Sequence, residues 1–223
     1  HRLYTESYRL RKEAAERLHA DRMAFIRSHR QSPLALYVAN EMISKSFSVP
    51  ATDLEEILAR NCRISDTARA ARFCRQAEQA RYFCKDIHYP DVPLHTPTFD
   101  TTLLSAHIRP GHVTLIDCWA SWCGPCRAAI PKVKALYDKY GRDRFDVISI
   151  SLDSKKEDWQ KALEEEKMPW PQFIAGNRGY KQLTSRYNIS SIPNLILIDG
   201  KGQVVCNTFS PEEIRIELEQ ILR

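Results

Sequence analysis

Trp119-Ala120-Ser121-Trp122-Cys123-Gly124-Pro125-Cys126 sets two cysteines around a Gly-Pro pair, with a tryptophan immediately before the first. Upstream runs Val113-Thr114-Leu115-Ile116, a short apolar stretch. Downstream, Ile130, Val133, Leu136 and Tyr137 recur at helical spacing. The cysteine pair therefore falls where a strand hands over to a helix. The first amides of a helix have no intrahelical partner, and together with the aligned peptide dipoles they favour an anion. Thiolate is the reactive form of cysteine, and such a setting can bring its pKa from ~8.5 to ~7 or below. Cys126, one turn into the helix, is within reach of Cys123. The pair can close a small disulfide and reopen it by exchange with another thiol.

A structural zinc half-site or an inert disulfide is the competing reading. Zinc would need a second Cys/His pair at knuckle spacing. The remaining cysteines, Cys62, Cys74, Cys84, Cys118 and Cys206, supply none. No metal and no organic cofactor is expected.

The chain has 223 residues, 43% hydrophobic and 27% charged, ordinary for a globular protein of one or two domains. No apolar run reaches the 18 residues of a membrane span, and no signal peptide opens the sequence. Any export signal or membrane anchor is expected outside this stretch. Residues 1–90 hold 16 Lys/Arg against 11 Asp/Glu, so they carry the whole net charge of +5. Acids are interleaved throughout and no basic block forms, which argues for a solvated helical surface and against nucleic-acid binding.

Taken in order, residues 2–29 read as a long helix with Leu3, Leu10, Ala14, Leu18 and Phe25 as its apolar stripe. Ser32-Pro33 ends it, and Pro33 suits the first turn of a second helix over 33–46. Thr52-Asp53-Leu54-Glu55 is a capping-box pattern opening a helix to about Asn61. Ser65 or Asp66 caps another over 66–86, with Ala70, Phe73, Ala77, Ala80 and Phe83 facing inward. Cys74 and Cys84 lie about 15 Å apart along that helix and cannot bridge each other. Either could pair with Cys62; buried free thiols acting as small apolar groups are preferred. His88–Pro97 holds three prolines and reads as an extended linker, giving a helical region over 1–88 and a second domain over 89–223. Thr98-Phe99 is expected to begin a small strand. Beyond it, strands fall at 113–119, 145–151, 194–199 and 203–207, and helices at 124–140, 155–166, 179–186 and 211–222. Asp199-Gly200-Lys201-Gly202 makes the last two strands an antiparallel hairpin. Asp117 lies inside an apolar strand. Buried there, its pKa would rise; at a strand edge it would face solvent.

Leu115 to Arg127 closely resembles the active site of the thioredoxin superfamily. The fuller pattern resembles its TlpA/ResA-type branch of bacterial envelope thiol-disulfide oxidoreductases. Supporting it are Val147-Ile148-Ser149-Ile150-Ser151-Leu152-Asp153, Trp159, Pro169-Trp170, Tyr187-Asn188-Ile189-Ser190-Ser191-Ile192-Pro193 and Leu197-Ile198-Asp199. The resemblance covers about residues 91–223. It extends to Bacteroidetes-like envelope proteins that join a helix-rich N-terminal region to a TlpA-like domain. It implies an α/β thioredoxin fold, a central mixed sheet flanked by helices, behind an all-α N-terminal region. It also implies a β-hairpin before the first core strand, a helical turn near Leu103–Ile108, and an insertion with an extra helix over 155–186. In thioredoxins an aspartate at the position of Asp117 accepts the proton of the second cysteine. Many TlpA/ResA-type proteins instead carry a glutamate three residues after that cysteine, where this chain has Ala129. Ile192-Pro193 matches the family's cis-proline loop, whose backbone can pair with a substrate strand. Trp122, Gly124 and Pro125 complete the expected docking surface, and Trp119, Trp159 and Trp170 are expected to be structural.

The function expected is dithiol–disulfide exchange. Cys123 attacks a disulfide-containing protein or small molecule, and Cys126, aided by Asp117, resolves the mixed disulfide. A Cys-Gly-Pro-Cys pair goes with a reducing potential in thioredoxin, about −270 mV, so a reductase is favoured over an oxidase. A thiol protein upstream would supply electrons, and the setting would be periplasmic or envelope-anchored. Two rivals stand beside this: a peroxiredoxin-like thiol peroxidase, whose Thr-x-x-Cys context is here broken by Ala120, and a binding protein switched by its redox pair.

Overall fold

The chain folds as two units, His1–Ile87 and His88–Arg223. The structure, a computed structural model, describes residues 2–29, 32–44, 49–61, 68–82, 84–141 and 144–223.

The first unit is helical: α1 (Arg2–Ser28), α2 (Pro33–Ser44), α3 (Ala51–Asn61) and α4 (Ala68–Ala80). Pro33 opens α2, where its missing N–H leaves no bond unmade, and Ser32 Oγ accepts from the Leu34 amide at 3.2 Å. The core joins Met23 and Ile26 of α1, Ala39, Met42 and Ile43 of α2, Leu54, Ile57 and Leu58 of α3, and Phe73, Ala77 and Ala80 of α4. This corrects the stripe expected on α1: Leu3, Leu10 and Leu18 are 86%, 52% and 49% exposed. At 27 residues α1 is about 40 Å long, while α2 has 12 residues. Among the described residues of α1, the fully buried ones, Met23 and Ile26, lie in its last turns. The capping box is corrected too. Helix α3 already starts at Ala51, and the Glu55 carboxylate goes to Arg81, not back to the helix start. Arginines here pair with acids both between helices and along them: Arg27 of α1 and Arg60 of α3 share Glu56 of α3, and Arg81 bridges Glu55 of α3 and Glu78 of α4. Cys84 is a buried free thiol, whereas Cys74 is disulfide-bonded, against the free thiol expected for it. Cys62, Ser65, Asp66 and Phe83 lie outside the described residues.

The second unit is a sheet of seven strands, β1 (Pro93–His95), β2 (Thr101–Leu103), β3 (Val113–Trp119), β4 (Phe145–Ser151), β5 (Gln172–Ile174), β6 (Asn194–Ile198) and β7 (Val204–Thr208), in the order β2-β1-β5-β4-β3-β6-β7. Strand β3 (Val113–Trp119) lies between β4 and β6 and has all seven residues buried, the near-continuous burial of a strand covered on both faces. Helix α5 (Gly124–Tyr140) carries the chain to β4 (Phe145–Ser151), parallel to β3. On the other side β6 (Asn194–Ile198) runs antiparallel to β3, and β7 (Val204–Thr208) pairs with β6 as the expected hairpin. Helix α8 (Pro211–Ile221) closes the chain, and Ile214 and Leu218 share a cluster with Leu115 and with Val133 and Leu136 of α5.

Two expectations fail around the sheet's far edge. Thr98-Phe99 begins no strand; it forms the turn between β1 (Pro93–His95) and β2 (Thr101–Leu103), with Phe99 at φ 69°. A 3-10 turn at Leu104–His107 follows. The sequence reading also missed β5 (Gln172–Ile174), which joins β4 in parallel and β1 in antiparallel. Three residues behind Pro169-Trp170-Pro171 carry no alternation to read. Helix α6 (Lys156–Glu166) lies before it, and α7 (Gly176–Arg186) after it starts three residues earlier than expected. Gly179 lets α7 lie against β1, since a Cβ there would meet the Pro93 carbonyl oxygen. No helix among the described residues is long and apolar enough to cross a membrane.

Candidate active site

Strand β3 ends at Trp119, and four residues later Cys123 caps α5 with extended backbone angles. Its Sγ accepts the Cys126 amide at 3.2 Å, one of the first-turn N–H groups that the helix itself leaves unpaired. Gly124 and Pro125 form that first turn, where proline withholds no needed donor. Cys123 and Cys126 are joined as a disulfide with Cα atoms 5.2 Å apart. Both sulfurs sit in an apolar nest with Trp119, Ala120, Ile130 and Trp159, against which Phe99 and Ile192 pack. Phe99 stands edge-on to Trp159, and the Lys156 ammonium lies 3.8 Å over its ring.

The loop before Cys123 is held from below. Asp153 accepts the Ser121 amide at 2.9 Å and the Ser121 hydroxyl at 2.7 Å, and a further bond from Ser151 at 2.7 Å. Trp122, at 69% exposure, projects from this braced loop. Beside it opens a groove of about 600 Å³ lined by Trp122, Leu152, Ala175, Tyr180, Ser191 and Ile192. The Ile192–Pro193 peptide is cis. Trp122 and Ile192 thus share one groove, while Gly124 and Pro125 belong to the turn that carries the disulfide.

Asp117 lies on β3 between Leu115 and Trp119, so its side chain shares their face. Leu115 clusters with α5 through Val133 and Leu136, and Trp119 through Cys126 and Ile130. The carboxylate is therefore under the helix that carries Cys126, not at a strand edge. It is 4% exposed. Burial pushes its carboxyl up to about 6 from an ordinary 3.8, and a hydrogen bond from Ser149 pulls the other way. Cys118, next along the strand, is a fully buried thiol on the opposite face. Burial first, and the charge of Asp117 second, push it well above the usual thiol range.

Ser149, Asp153 and Phe99 have no part in the site as the sequence is read, and Trp170 figures there only as a structural residue. In the fold Ser149 pairs with Asp117 across β3 and β4 and donates to its Oδ2 at 2.8 Å; Trp170 Nε1 donates to Ser149 Oγ at 2.8 Å. The available signal was Ser149 and Ser151, two hydroxyls on the strand face they share with Phe145 and Val147, since buried polar groups need partners.

Comparison with known proteins agrees with this geometry. A family model described as thioredoxin-like matches residues 111–204. The chain is 26% identical over 133 residues to the thiol-disulfide oxidoreductase ResA of Geobacillus kaustophilus, covering 56% of this chain and 75% of that protein. Two further curated relatives are spanned over 61% and 64% of their length. The thioredoxin domain of a thiol-disulfide oxidoreductase from Bacteroides vulgatus superposes with a TM-score of 0.58 at 24% identity, over 63% of this chain and 99% of that one. A Chlorobium tepidum protein assigned to the thiol:disulfide interchange type DsbE is 32% identical with a TM-score of 0.51, over 63% of this chain and 96% of that one.

Proposed function

This chain belongs to the thioredoxin-like thiol-disulfide oxidoreductases, and we propose that within them it is a disulfide reductase working through Cys123 and Cys126. The observation that carries the reading is Cys123 at the mouth of α5 with its sulfur on the Cys126 amide, in one face with a buried Asp117. In the reduced protein the same amide and the helix dipole stabilise a Cys123 thiolate. That thiolate attacks one sulfur of a substrate disulfide; the new S–S bond forms as the substrate's own bond breaks, and the far substrate sulfur leaves as a thiolate. Cys126 then gives its proton to Asp117 and attacks Cys123. The Cys123–Cys126 bond forms, and the second substrate sulfur departs. The substrate gains two electrons, the chain loses two, and a dithiol protein upstream restores it.

Trp122, Gly124, Pro125, Ile192 and Pro193 are assigned to substrate docking. Trp122 and Ile192 share the groove, and an extended polypeptide beside Ile192 could add its backbone to that edge. A disulfide-containing protein is therefore the favoured substrate. An envelope or periplasmic setting, suggested by the kinship with ResA and DsbE types, belongs to the same proposal, as does the division into a helical region over 1–88 and a redox domain over 89–223.

Equilibration of the 123/126 pair with glutathione buffers tests the direction. A potential near −270 mV is expected; one above about −180 mV would make the protein an oxidant and overturn the reductase reading. In parallel, Cys126→Ser should trap a mixed disulfide on Cys123 with a protein substrate, and failure to trap any would remove Cys123 as nucleophile.

A further inference from the structure

Asp117 is served by a hydrogen-bond chain whose direction is set by chemistry. An indole N–H can only donate. Trp170 Nε1 donates to Ser149 Oγ at 2.8 Å and so uses a lone pair of that hydroxyl. The one hydrogen of Ser149 then has two acceptors in reach: Asp117 Oδ2 at 2.8 Å and the thioether of Met168 at 3.9 Å. A carboxylate is far the stronger acceptor and the nearer one. Polarity therefore runs one way, from Trp170 through Ser149 to Asp117 Oδ2. Asp117 Oδ1 has no hydrogen-bond partner among the described residues, whereas Oδ2 already accepts from Ser149.

We infer that Ser149 and Trp170 are positioning residues for the exchange reaction: they pin Oδ2 of Asp117 and leave Oδ1 as the atom that takes the Cys126 proton. The inference rests on Asp117 being the proton acceptor, as proposed above. A proton on Oδ2 would weaken the bond from Ser149, whose hydrogen would be left with only the Met168 thioether as an alternative acceptor, whereas a proton on Oδ1 keeps the Ser149 bond to an unprotonated Oδ2. The proton therefore settles on Oδ1. Few other groups bear on the site. From β6, Leu195 is the residue paired with Asp117. From α5, Cys126 shares its face and the ring of Tyr137 lies against Trp170 at 5.4 Å, while the Lys134 ammonium is held by the Glu166 carbonyl. From β4, Ser151 is engaged with Asp153. Cys118 is on the other face of β3. Burial and Ser149 are the two influences that set the proton affinity of this carboxyl.

The test follows the pH dependence of the step in which Cys126 resolves a preformed mixed disulfide on Cys123, with the Asp117 carboxyl carbon followed by NMR in the oxidised protein. In the parent chain the rate should rise with a midpoint near 6. Ser149→Ala removes the hydrogen bond that favours the carboxylate, so the midpoint should move up by about one pH unit, which slows resolution about threefold at pH 6.5. Trp170→Phe keeps an aromatic ring, though a smaller one, and deletes the N–H. It frees the hydroxyl to turn, and its midpoint should move the same way by a smaller amount. Trp170→Phe leaves Ser149 in place and holds the test if Ser149→Ala fails to fold. Asp117→Asn separates the two readings. If Asp117→Asn retains the parent pH step, Asp117 is not the acceptor and the mechanism above fails at that point. If Asp117→Asn abolishes the step while Ser149→Ala and Trp170→Phe leave both the kinetic and the NMR midpoints where they were, the acceptor stands and the relay is refuted.

Discussion

Replacing Asp117 by Asn should make the second unit more stable at neutral pH, although the site loses a charge it is proposed to use. The folded carboxyl titrates near 6 against an ordinary 3.8. Its pKa is raised by folding, so the folded state holds the proton more tightly than the unfolded chain does. The stability this provides is fully present below 3.8 and is lost as pH rises through about 6. At 1.36 kcal/mol for each pH unit, the loss amounts to about 3 kcal/mol. Asparagine does not titrate and escapes it. Its amide does bring N–H donors into a buried place, an offset of about 1–3 kcal/mol that is the same at every pH. The slope of the difference between the two proteins is therefore the diagnostic, not its value at one pH. Urea unfolding of the oxidised proteins between pH 3.5 and 8 would measure it. Intrinsic fluorescence suits the purpose because all four tryptophans, at 119, 122, 159 and 170, lie in the second unit. A probe confined to one unit avoids treating a two-unit chain as a single cooperative transition. The difference in unfolding free energy should swing by about 3 kcal/mol in favour of Asp117→Asn across that range. A difference that stays flat would mean that the carboxylate is not desolvated, and the case for Asp117 as a raised-affinity proton acceptor would collapse.

Other expectations are more local. Trp122→Ala should lower kcat/KM for a protein disulfide by about tenfold through lost apolar contact, yet leave urea stability within about 0.5 kcal/mol, because the side chain is 69% exposed; an unchanged kcat/KM would remove Trp122 from the docking surface. Asp153→Ala strips the Ser121 loop of its charge-assisted bonds and should destabilise by about 2–3 kcal/mol while slowing turnover, read by unfolding and by steady-state reduction. Gly179→Ala should destabilise by about 1–3 kcal/mol, since its methyl would press on the Pro93 carbonyl; a neutral thermal shift would show that α7 can move off β1. Arg127, paired with Glu165 and Glu166 at partly exposed positions, should change stability by no more than about 1 kcal/mol when replaced by Ala.

Much of the redox unit was legible because its signals are short-range. Cys-Gly-Pro-Cys at a strand-to-helix junction, the short apolar stretch Val113-Thr114-Leu115-Ile116 that opens β3, and Asp199-Gly200-Lys201-Gly202 between two short strands each carry their meaning within a few residues. The same holds for Asp117, a carboxylate in an apolar run. Where local pattern was ambiguous or weak, the reading slipped. The three-residue β5 exists because β4 and β1 offer it edges, and Thr98-Phe99 turns because β1 and β2 must meet. On α1 a helical stripe was visible in Leu3, Leu10 and Leu18, but periodicity does not say whether a partner is long enough to cover it.

The linear chain determined by itself which residues could do the chemistry: two thiols at the spacing of one helical turn and an acid in the preceding strand. Only the tertiary structure decided what surrounds that acid. Ser149 and Trp170 lie 32 and 53 positions beyond Asp117, and their bonds to the chain ending on its Oδ2 are 2.8 Å long. Contacts that short between residues that far apart depend on the parallel pairing of β3 with β4 and the return of the chain after α6. A charge buried in protein is governed by its nearest few ångströms, and no spacing along a sequence specifies those.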